Sequence, residues 1–424
     1  MLNPIVLAVP VFLLMIVLEW MLGRARGQTL YRAADTVSSL GNGIASQLTG
    51  MFTKLFMLGI YTWIWQRAAL FELSASSPWV WLAALLIYDF CYYWNHRLGH
   101  TVAVLWAAHA VHHSSEEYNL STALRQTSTG FLFSWIFYLP MALLGFPPLV
   151  YVVVGLIDLL YQFWVHTRAV GRLGWFDRWF CSPSNHRVHH GQNDYCLDRN
   201  YGGILMVWDR LFGTFVEERE GEPIVYGVLG QLKSWSPWQA NLRGYQQIWS
   251  DLRLADNWGD RLSIWFRHPS WRPAAAQRLA PKPAVDLTRF QPYAPPLRPG
   301  LERHGLEQLA VLLSLGVALL ALQPFLAGAA LVLGAVAVLA ALVVLSRLLE
   351  GRAGDDGGEE QLRLALGLLA GLALAALETL PGLAADAPGW AAPLARAMGV
   401  LLALGSLWGW LRLAGALRRP GALT

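Results

Sequence analysis

Long apolar stretches alternate with polar segments along this chain, and their lengths predict helices that cross a membrane. Residues 4–22, 44–65 and 80–94 form three apolar spans near the N-terminus. Two shorter apolar runs, 131–146 and 149–165, are separated by a pair of prolines. Because proline breaks a helix, we expect these two runs to form a hairpin that enters the membrane and returns.

The C-terminal third is a second apolar block, rich in alanine, leucine and glycine. Small residues let helix backbones approach closely in a bilayer, so the block is expected to be scaffold rather than a place of chemistry. Its predicted spans lie at residues 309–326, 329–345, 362–380 and 397–416.

The composition agrees with a polytopic membrane protein, since 14% of the residues are charged and 55% are hydrophobic. Soluble domains carry about 25% charged residues. The predicted fold is all-α: a polytopic membrane helical bundle with a cytoplasmic helical cap that carries a histidine-rich di-metal site. The predicted divisions are N-terminal transmembrane helices at 1–95, a histidine-containing catalytic core at 96–230 with its membrane hairpin at about 131–165, a cytoplasmic linker or cap at 231–305, and a C-terminal transmembrane block at 306–424.

Charge predicts the orientation of the chain. Arg24, Arg26 and Arg32 follow the first span, and cytoplasmic loops are enriched in basic residues. The third span then delivers the first histidines to the cytoplasmic side. The net charge of +4 comes from scattered side chains and gives no support for nucleic-acid binding, and three cysteines without a paired spacing argue against a disulfide framework.

Nine of the eleven histidines lie between residues 96 and 190, in three clusters and one single position. Residues three or four positions apart share one face of a helix, so each cluster presents its imidazoles together. One ion rarely binds more than about six donors, so nine histidines predict two metal ions. For the isolated histidine at 166, a supporting or structural role is the alternative. The candidate ligands are His96, His100, His109, His112, His113, His166, His186, His189 and His190.

Other polar residues near these clusters are weaker candidates. Asp89 lies inside the third span, where an acid is a functional candidate, and we expect it either to hydrogen-bond a ligand imidazole or to be structural. Glu116 and Asn119 follow the second cluster and are further catalytic candidates, with a solvated polar face as the alternative. Arg125 and Gln126 are candidates for binding a cofactor or phosphate. Three acids flank the last cluster and are expected to cap and orient it: Asp194, Asp198 and Asp209.

The histidine spacing resembles a known pattern. H-x-x-x-H, H-x-x-H-H and H-x-x-H-H occur here in the order found in the integral-membrane di-iron family that includes fatty acid hydroxylases and sterol desaturases. The resemblance is carried by residues 109–126 (HAVHHSSEEYNLSTALRQ), 163–167 (FWVHT), 186–215 (HRVHHGQNDYCLDRNYGGILMVWDRLFGTF) and 222–228 (EPIVYGV).

This resemblance implies a membrane-bound, O2-dependent monooxygenase in which two iron ions hydroxylate a C–H bond of a lipid chain. The likeness is strongest to the branch that cleaves ether lipids, which implies tetrahydrobiopterin or another electron donor as the reductant. The implied location is the plasma membrane in a bacterium or the endoplasmic reticulum in a eukaryote. The oligomeric state stays open.

Three other functions remain as alternatives at this point. A sterol or fatty acyl hydroxylase or desaturase would share the same histidines and the same oxidant. A histidine-rich metal transporter would place its ligands on broken helices near the membrane midplane, often in repeated halves, and the C-terminal half repeats none of these clusters. A zinc hydrolase would need a general base in an H-E-x-x-H pattern, which this chain lacks.

Overall fold

The chain forms a helical structure, which a computed structural model describes for residues 4–352, 357–377 and 382–417. Within these ranges there are no strands, only three isolated bridges between single residues. The α-helices are α1 Pro4–Ala25, α2 Ala33–Ala68, α3 Pro78–Thr101, α4 Ala103–His113, α5 Leu120–Ala123, α6 Leu139–Leu144, α7 Pro148–Trp164, α8 Trp175–Trp179, α9 Pro183–His189, α10 Val207–Leu211, α11 Pro237–Leu254, α12 Trp258–Phe266, α13 Ala274–Leu279, α14 Leu301–Leu322, α15 Gly328–Leu349, α16 Gly358–Ala376 and α17 Ala391–Leu417. Four 3₁₀ helices complete the described elements: Gly130–Leu132, Ser134–Tyr138, Leu287–Arg289 and Gln323–Phe325. The all-α prediction is confirmed.

Four of the described helices are long and apolar enough to cross a membrane: Pro4–Ala25, Leu301–Phe325, Gly328–Leu349 and Ala391–Leu417. The predicted second and third spans lie within α2 and α3, which exist as helices of 36 and 24 residues. Tyrosine, tryptophan and polar side chains lower the mean hydropathy of α2 and α3. That these two helices cross the membrane therefore stays a prediction. The end of the predicted span at 362–380 and the last residues of the predicted C-terminal block lie outside the described residues.

Residues 131–165 are helical on both sides of the proline pair, while their entry into a membrane stays a prediction, and the first limb differs from a single helix. Two short 3₁₀ helices and α6 replace it, because Pro140 lacks the N–H that a continuous α-helix would need there. The turn depends on Gly145, whose φ is +95°, and a Cβ at this position would lie 1.9 Å from the carbonyl oxygen of Phe71. The second limb is α7, which leads directly to His166.

The C-terminal block packs on the N-terminal helices rather than standing apart. One hydrophobic core contains Leu48 of α2, Leu312 of α14 and Leu345 of α15. It extends to α1 and α7, where the rings of Phe12 and Phe163 stack with their centroids 4.3 Å apart. The two apolar parts of the chain therefore share one interior.

Within the C-terminal block, α16 and α17 are in backbone contact. A Cβ at Gly371 would lie 2.5 Å from the backbone nitrogen of Ala403, and one at Gly399 would lie 2.6 Å from that of Ala375. No other residue type fits this approach, which is the close packing that small residues were expected to allow.

We therefore predict opposite effects for two identical substitutions in α17. Alanine normally stabilises a helix over glycine by about 1 kcal/mol. Gly399→Ala should nevertheless lower the midpoint of thermal unfolding by at least about 2 °C, because its Cβ enters the backbone of α16. Gly415→Ala is the matched control, since nothing lies within 4 Å of a Cβ there, and it should leave the midpoint unchanged or raise it. Equal shifts for the two variants would show that α16 and α17 do not touch here.

Candidate metal centre

All nine clustered histidines converge in two neighbouring groups. Within each group the atoms that could bind a metal lie within 4.8 Å of one another. The five-histidine group contains His96, His100, His109, His113 and His189, and the four-histidine group contains His112, His166, His186 and His190. The sequence clusters are thus divided between the groups, since α4 contributes to both.

The donor atoms are regularly spaced. In the five-histidine group, Nε2 of His109 lies 3.1 Å from that of His96 and 3.0 Å from that of His113. In the four-histidine group, Nε2 of His166 lies 3.1 Å from that of His112. Neighbouring donors around one octahedral ion, at a metal–nitrogen distance of about 2.1 Å, would be about 3.0 Å apart. The observed spacing fits such an ion in each group.

Backbone carbonyl oxygens determine the tautomer of four of the imidazoles. A carbonyl can only accept a hydrogen bond, so the Nδ1 that contacts it carries the proton and Nε2 is left with its lone pair. The four Nδ1-to-oxygen pairs are His96 with Tyr201 (2.8 Å), His112 with Arg125 (3.0 Å), His166 with Gln162 (2.8 Å) and His189 with Arg199 (2.9 Å).

These tautomers make His112 and His166 incompatible as a simple hydrogen-bonded pair. Both Nδ1 atoms carry their protons, so two Nε2 lone pairs face each other at 3.1 Å. Protonation is not a remedy, because burial lowers the pKa of His112 to about 4 and that of His166 well below its usual range. A shared cation removes the repulsion. The buried Nε2 of His189, which has no hydrogen-bond partner in the described chain, fits the same explanation.

The two groups are adjacent. The rings of His113 and His190, one from each group, stack with their centroids 4.2 Å apart. The rings of His112 and His190, from within the four-histidine group, lie 4.7 Å apart. The arrangement is therefore suited to two neighbouring ions and not to two separate sites.

The buried carboxylate of Asp209 fixes the backbone that holds one imidazole of the five-histidine group. Asp209 accepts hydrogen bonds from the backbone nitrogens of Tyr201 and Gly202 at 2.8 and 2.7 Å, and from Oγ1 of Thr214 at 2.6 Å. The carbonyl of Tyr201 in turn holds His96. This agrees with the expected orienting role of Asp209, and such partners behind a ligand tune its orientation and basicity.

Arg125 holds the four-histidine group in a similar way. Its side chain is 1% exposed and donates to the carbonyl of Val111, to Oγ of Ser114 and to Oγ of Ser38, each at 3.0 Å. Its own carbonyl accepts from His112. Because these bonds occupy the guanidinium inside the protein, the geometry favours a positioning role over the predicted binding of a cofactor or phosphate.

The predicted catalytic residues Asp89, Glu116 and Asn119 lie near the site, but their side chains form hydrogen bonds with groups other than the histidines. The carboxylate of Asp89 accepts from the backbone nitrogens of Ile204 and Leu205 and from Nε1 of Trp208, at 2.7 to 3.1 Å. A ligand imidazole, which was one of the two alternatives for Asp89, therefore does not donate to it, because its oxygens face this loop, and a catalytic role for Asp89 stays a prediction. Asp89 instead anchors the segment that follows Tyr201.

Glu116 and Asn119 hold chain segments together. Glu116 accepts from the backbone nitrogen of Tyr293 at 2.6 Å and from Nε2 of Gln231 at 3.1 Å. Asn119 begins α5, where its side chain accepts from the backbone nitrogen of Ser121 at 3.0 Å. Neither side chain has a hydrogen bond to a histidine in the described chain, and a catalytic role for either stays a prediction.

A mainly apolar cavity, open on one side, reaches the four-histidine group. His166 lies in its wall, together with the three glutamines Gln47, Gln126 and Gln162. The remaining lining comes mainly from aliphatic and phenylalanine side chains of α1, α2, α7 and α14. Gln126, predicted to bind a cofactor, thus faces the cavity next to the histidines, whereas Arg125 does not line it.

Sequence reasoning missed two residues that position His166. Glu19 of α1, 5% exposed, accepts from Oγ1 of Thr167 and from the backbone nitrogen of Leu120. An acid in an apolar span was the available signal for Glu19. Gln162 gave no signal, because the hydrogen bond from His166 goes to its backbone carbonyl and its amide appears in the cavity only once α7 is packed.

A known protein family shares the region that contains this site. The sequence profile of the fatty acid hydroxylase family matches residues 81–214, which contain all nine histidines. The fold and site therefore define a membrane hydroxylase whose two histidine groups could hold metal ions. No solved structure is significantly similar.

The similar full-length proteins are more specific. The chain is 39% identical to the alkylglycerol monooxygenase of Xenopus tropicalis, over 76% of this chain and 72% of that protein. It is 38% identical to that of Danio rerio, over 77% and 73%, and 40% identical to that of Homo sapiens, over 67% and 61%. The chain belongs to the alkylglycerol monooxygenase family, and it is an integral membrane monooxygenase that hydroxylates lipid.

We predict that Asp209→Asn weakens metal binding through His96. The new amide N–H₂ would face backbone N–H groups that now donate to a carboxylate, so the Tyr201 carbonyl should shift. Loss of such a supporting partner costs about 10- to 100-fold in metal affinity. Competition with a chelator, followed by metal analysis, measures the effect. Asp194→Asn is the control because Asp194 is exposed, and equal affinities for the two variants would contradict the role of Asp209.

Proposed function

We propose that this protein is an O2-dependent di-iron monooxygenase that oxidises the carbon beside the ether oxygen of an alkylglycerol. The observation that carries the proposal is the apolar cavity that has His166 in its wall. The proposed iron ligands are the nine histidines of the two groups. The ether lipid is proposed from the names of the similar proteins, each an alkylglycerol monooxygenase.

The cavity suits a lipid with one long chain. Leu13, Leu48 and Leu320 are among its apolar lining residues, and burial of each methylene group in such surroundings contributes about 0.8 kcal/mol. The amides of Gln126 and Gln162 lie in the same wall as His166. An amide N–H₂ there can donate to the ether oxygen or to a glycerol hydroxyl, which would place the adjacent carbon near the metal centre.

The amide of Gln162 is itself oriented by its neighbours. Its Oε1 accepts from the hydroxyl of Tyr92 at 2.7 Å, and its Nε2 donates to Oδ2 of Asp158 at 2.5 Å. The amide plane is thereby held in one orientation beside the cavity. A substrate oxygen would meet a pre-organised wall, so little ordering remains to be done on binding.

Iron bound by the histidines would supply the reduction of O2 and the oxidation of an unactivated C–H bond. In the net reaction one oxygen atom enters the C–H bond, and the other leaves as water with two electrons from the donor and two protons. Tetrahydrobiopterin or another electron donor is proposed as the reductant. The hydroxylated carbon then bears two oxygens, and this hemiacetal separates into an aldehyde and glycerol.

The protein's own contribution is to hold nitrogen donors in place and to exclude water. His112, His186 and His190 are each no more than 8% exposed. Nine neutral ligands leave the charge of the ions uncompensated, which favours binding of anionic oxygen species. Burial also keeps the imidazoles neutral, because it lowers the pKa of His186 and His190 well below the usual range.

We further propose that the site faces the cytoplasm. Basic residues just after α1 contact segments beside the histidines: Arg26 donates to the carbonyl of Ala169 at 2.9 Å, and Arg32 pairs with Glu117 at 2.7 Å. Basic residues next to a membrane span favour the cytoplasmic side, which supports this orientation for the whole site.

Turnover of hexadecyl glycerol ether tests the proposal. Purified protein in lipid, supplied with iron, isotope-labelled O2 and tetrahydrobiopterin, should release hexadecanal that carries the label when it is trapped at once as the alcohol. His190→Ala removes a proposed ligand and should lower the rate at least about 100-fold, since even loss of a supporting partner costs 10- to 100-fold.

The control is Gln239→Ala, which shortens an exposed side chain of α11 outside both groups and should retain the rate within about threefold, as expected for a surface substitution. Loss of two hydrogens from the chain without incorporation of label would instead indicate a desaturase. A labelled hydroxyl elsewhere on an intact ether would retain the oxygenase but contradict the proposed position of attack.

A further inference from the structure

The C-terminal block contributes directly to the cavity that reaches the metal centre. Four residues of α14 line it: Leu313, Gly316, Val317 and Leu320. The fatty acid hydroxylase profile ends at residue 214, well before this helix. This contribution to the cavity goes beyond the packing role expected for the block.

We propose that α14 is the wall that selects the length of the lipid chain, and that Gly316 keeps this wall open. The inference rests on the proposed function, because it assumes that a lipid chain occupies the cavity. It assigns a specificity role to a part of the protein that carries no candidate metal ligand among its described residues.

The direction of α14 relative to α2 supports a role in measuring the length of the lipid chain. Gly316 lies opposite Ile44, and Nε2 of Gln323 donates to the carbonyl of Met51 at 3.0 Å, so the two helices run side by side in the same direction. The metal end of α2 is marked by Ser38, which accepts from Arg125. Successive turns of α14 therefore lie progressively further from the histidines.

The lining residues extend over a similar length on each helix. They run from Leu40 to Leu48 on α2 and from Leu313 to Leu320 on α14. At a rise of about 1.5 Å per residue, these stretches are about 10 to 12 Å long. The cavity thus extends along the helices, as an alkyl chain would, and its far part is bounded by α14.

Gly316 is the position where a side chain would enter this space. Among the described residues outside its own helix, a Cβ built there would have one atom within 4 Å, Cγ2 of Ile44 at 3.3 Å. A larger side chain must turn away from Ile44, and the open direction is the cavity. Gly43, on the facing helix, is different: its Cβ would lie 2.4 Å from the carbonyl oxygen of Leu124, so that glycine is required for packing.

A glycine inside a helix is destabilising relative to alanine, and the tight contact that a Cβ at Gly316 would make is with the side chain of Ile44 rather than with backbone. Open space for a ligand does explain it. The wall formed by the remaining three α14 residues is entirely aliphatic, which suits hydrocarbon and rejects a polar headgroup. The headgroup is then left at the end where Gln126 and His166 lie.

The experiment is a binding series on the full-length protein in lipid nanodiscs. Butyl, octyl and dodecyl glycerol ethers would displace a fluorescent alkyl probe, so the readout does not depend on turnover or on bound metal. In the unaltered protein, affinity should rise with chain length. In Gly316→Leu the dodecyl ether should lose at least about tenfold in affinity, as expected when about two methylene groups leave an apolar environment, while the butyl ether, too short to reach Gly316, changes less than threefold.

Ser314→Leu is the matched control, because it adds the same side chain to α14 at an exposed position whose hydroxyl bonds only within its own helix, to Ala310. It should leave the series unchanged. Gly316→Ala should give a smaller loss in the same direction, which keeps the test valid if the leucine variant does not fold.

An unchanged series in both Gly316 variants, or equal losses for all three chain lengths, would overturn the proposal. So would an unaltered protein whose affinity does not depend on chain length. A shifted series in a protein that cleaves no ether would support the role of α14 and contradict the proposed function instead, so the two failures are distinguishable.

Discussion

Two imidazole lone pairs that face each other inside a protein repel each other. The hydrogen bonds around His112 and His166 hold their Nε2 lone pairs in this position. The carbonyls of Arg125 and Gln162 take the Nδ1 protons, and burial prevents a second proton from binding. Only a cation converts this repulsion into stabilisation. Because the buried Nε2 of His189 also lacks a hydrogen-bond partner in the described chain, the free energy of metal binding is expected to be coupled to folding of the whole histidine region.

The elements that hold these histidines come from distant parts of the chain. Asp209 sets the Tyr201 carbonyl, Asp89 anchors the following loop, and Glu19 ties α1 to Thr167 beside His166. The helices around the site therefore have two roles: α1, α2, α7 and α14 line the apolar cavity, and α1, α3 and α10 carry the buried acids that fix the segments around the histidines. A metal site is held in a productive geometry when the residues that hydrogen-bond to its ligands are themselves fixed by packing.

Sequence periodicity could predict the histidine pairs, because residues four apart share a helix face whatever the tertiary structure. It could not predict how α4 divides its histidines between the two groups, since that depends on how α4, α7 and α9 pack. The partners of Asp89 lie more than a hundred residues away in the loop at Ile204, and no local pattern encodes them. The cavity wall at Gly316 was missed for the same reason, because its composition is indistinguishable from ordinary membrane packing.

The central claim, two ions held by histidine alone, is tested most directly by X-ray absorption on iron-loaded protein together with counting of the metal. We predict about two irons per chain, as nine candidate ligands require, and a first shell of nitrogen and oxygen at about 2.1 Å. A single iron per chain, or a shell that contains sulfur from Cys91, Cys181 or Cys196, would contradict the account.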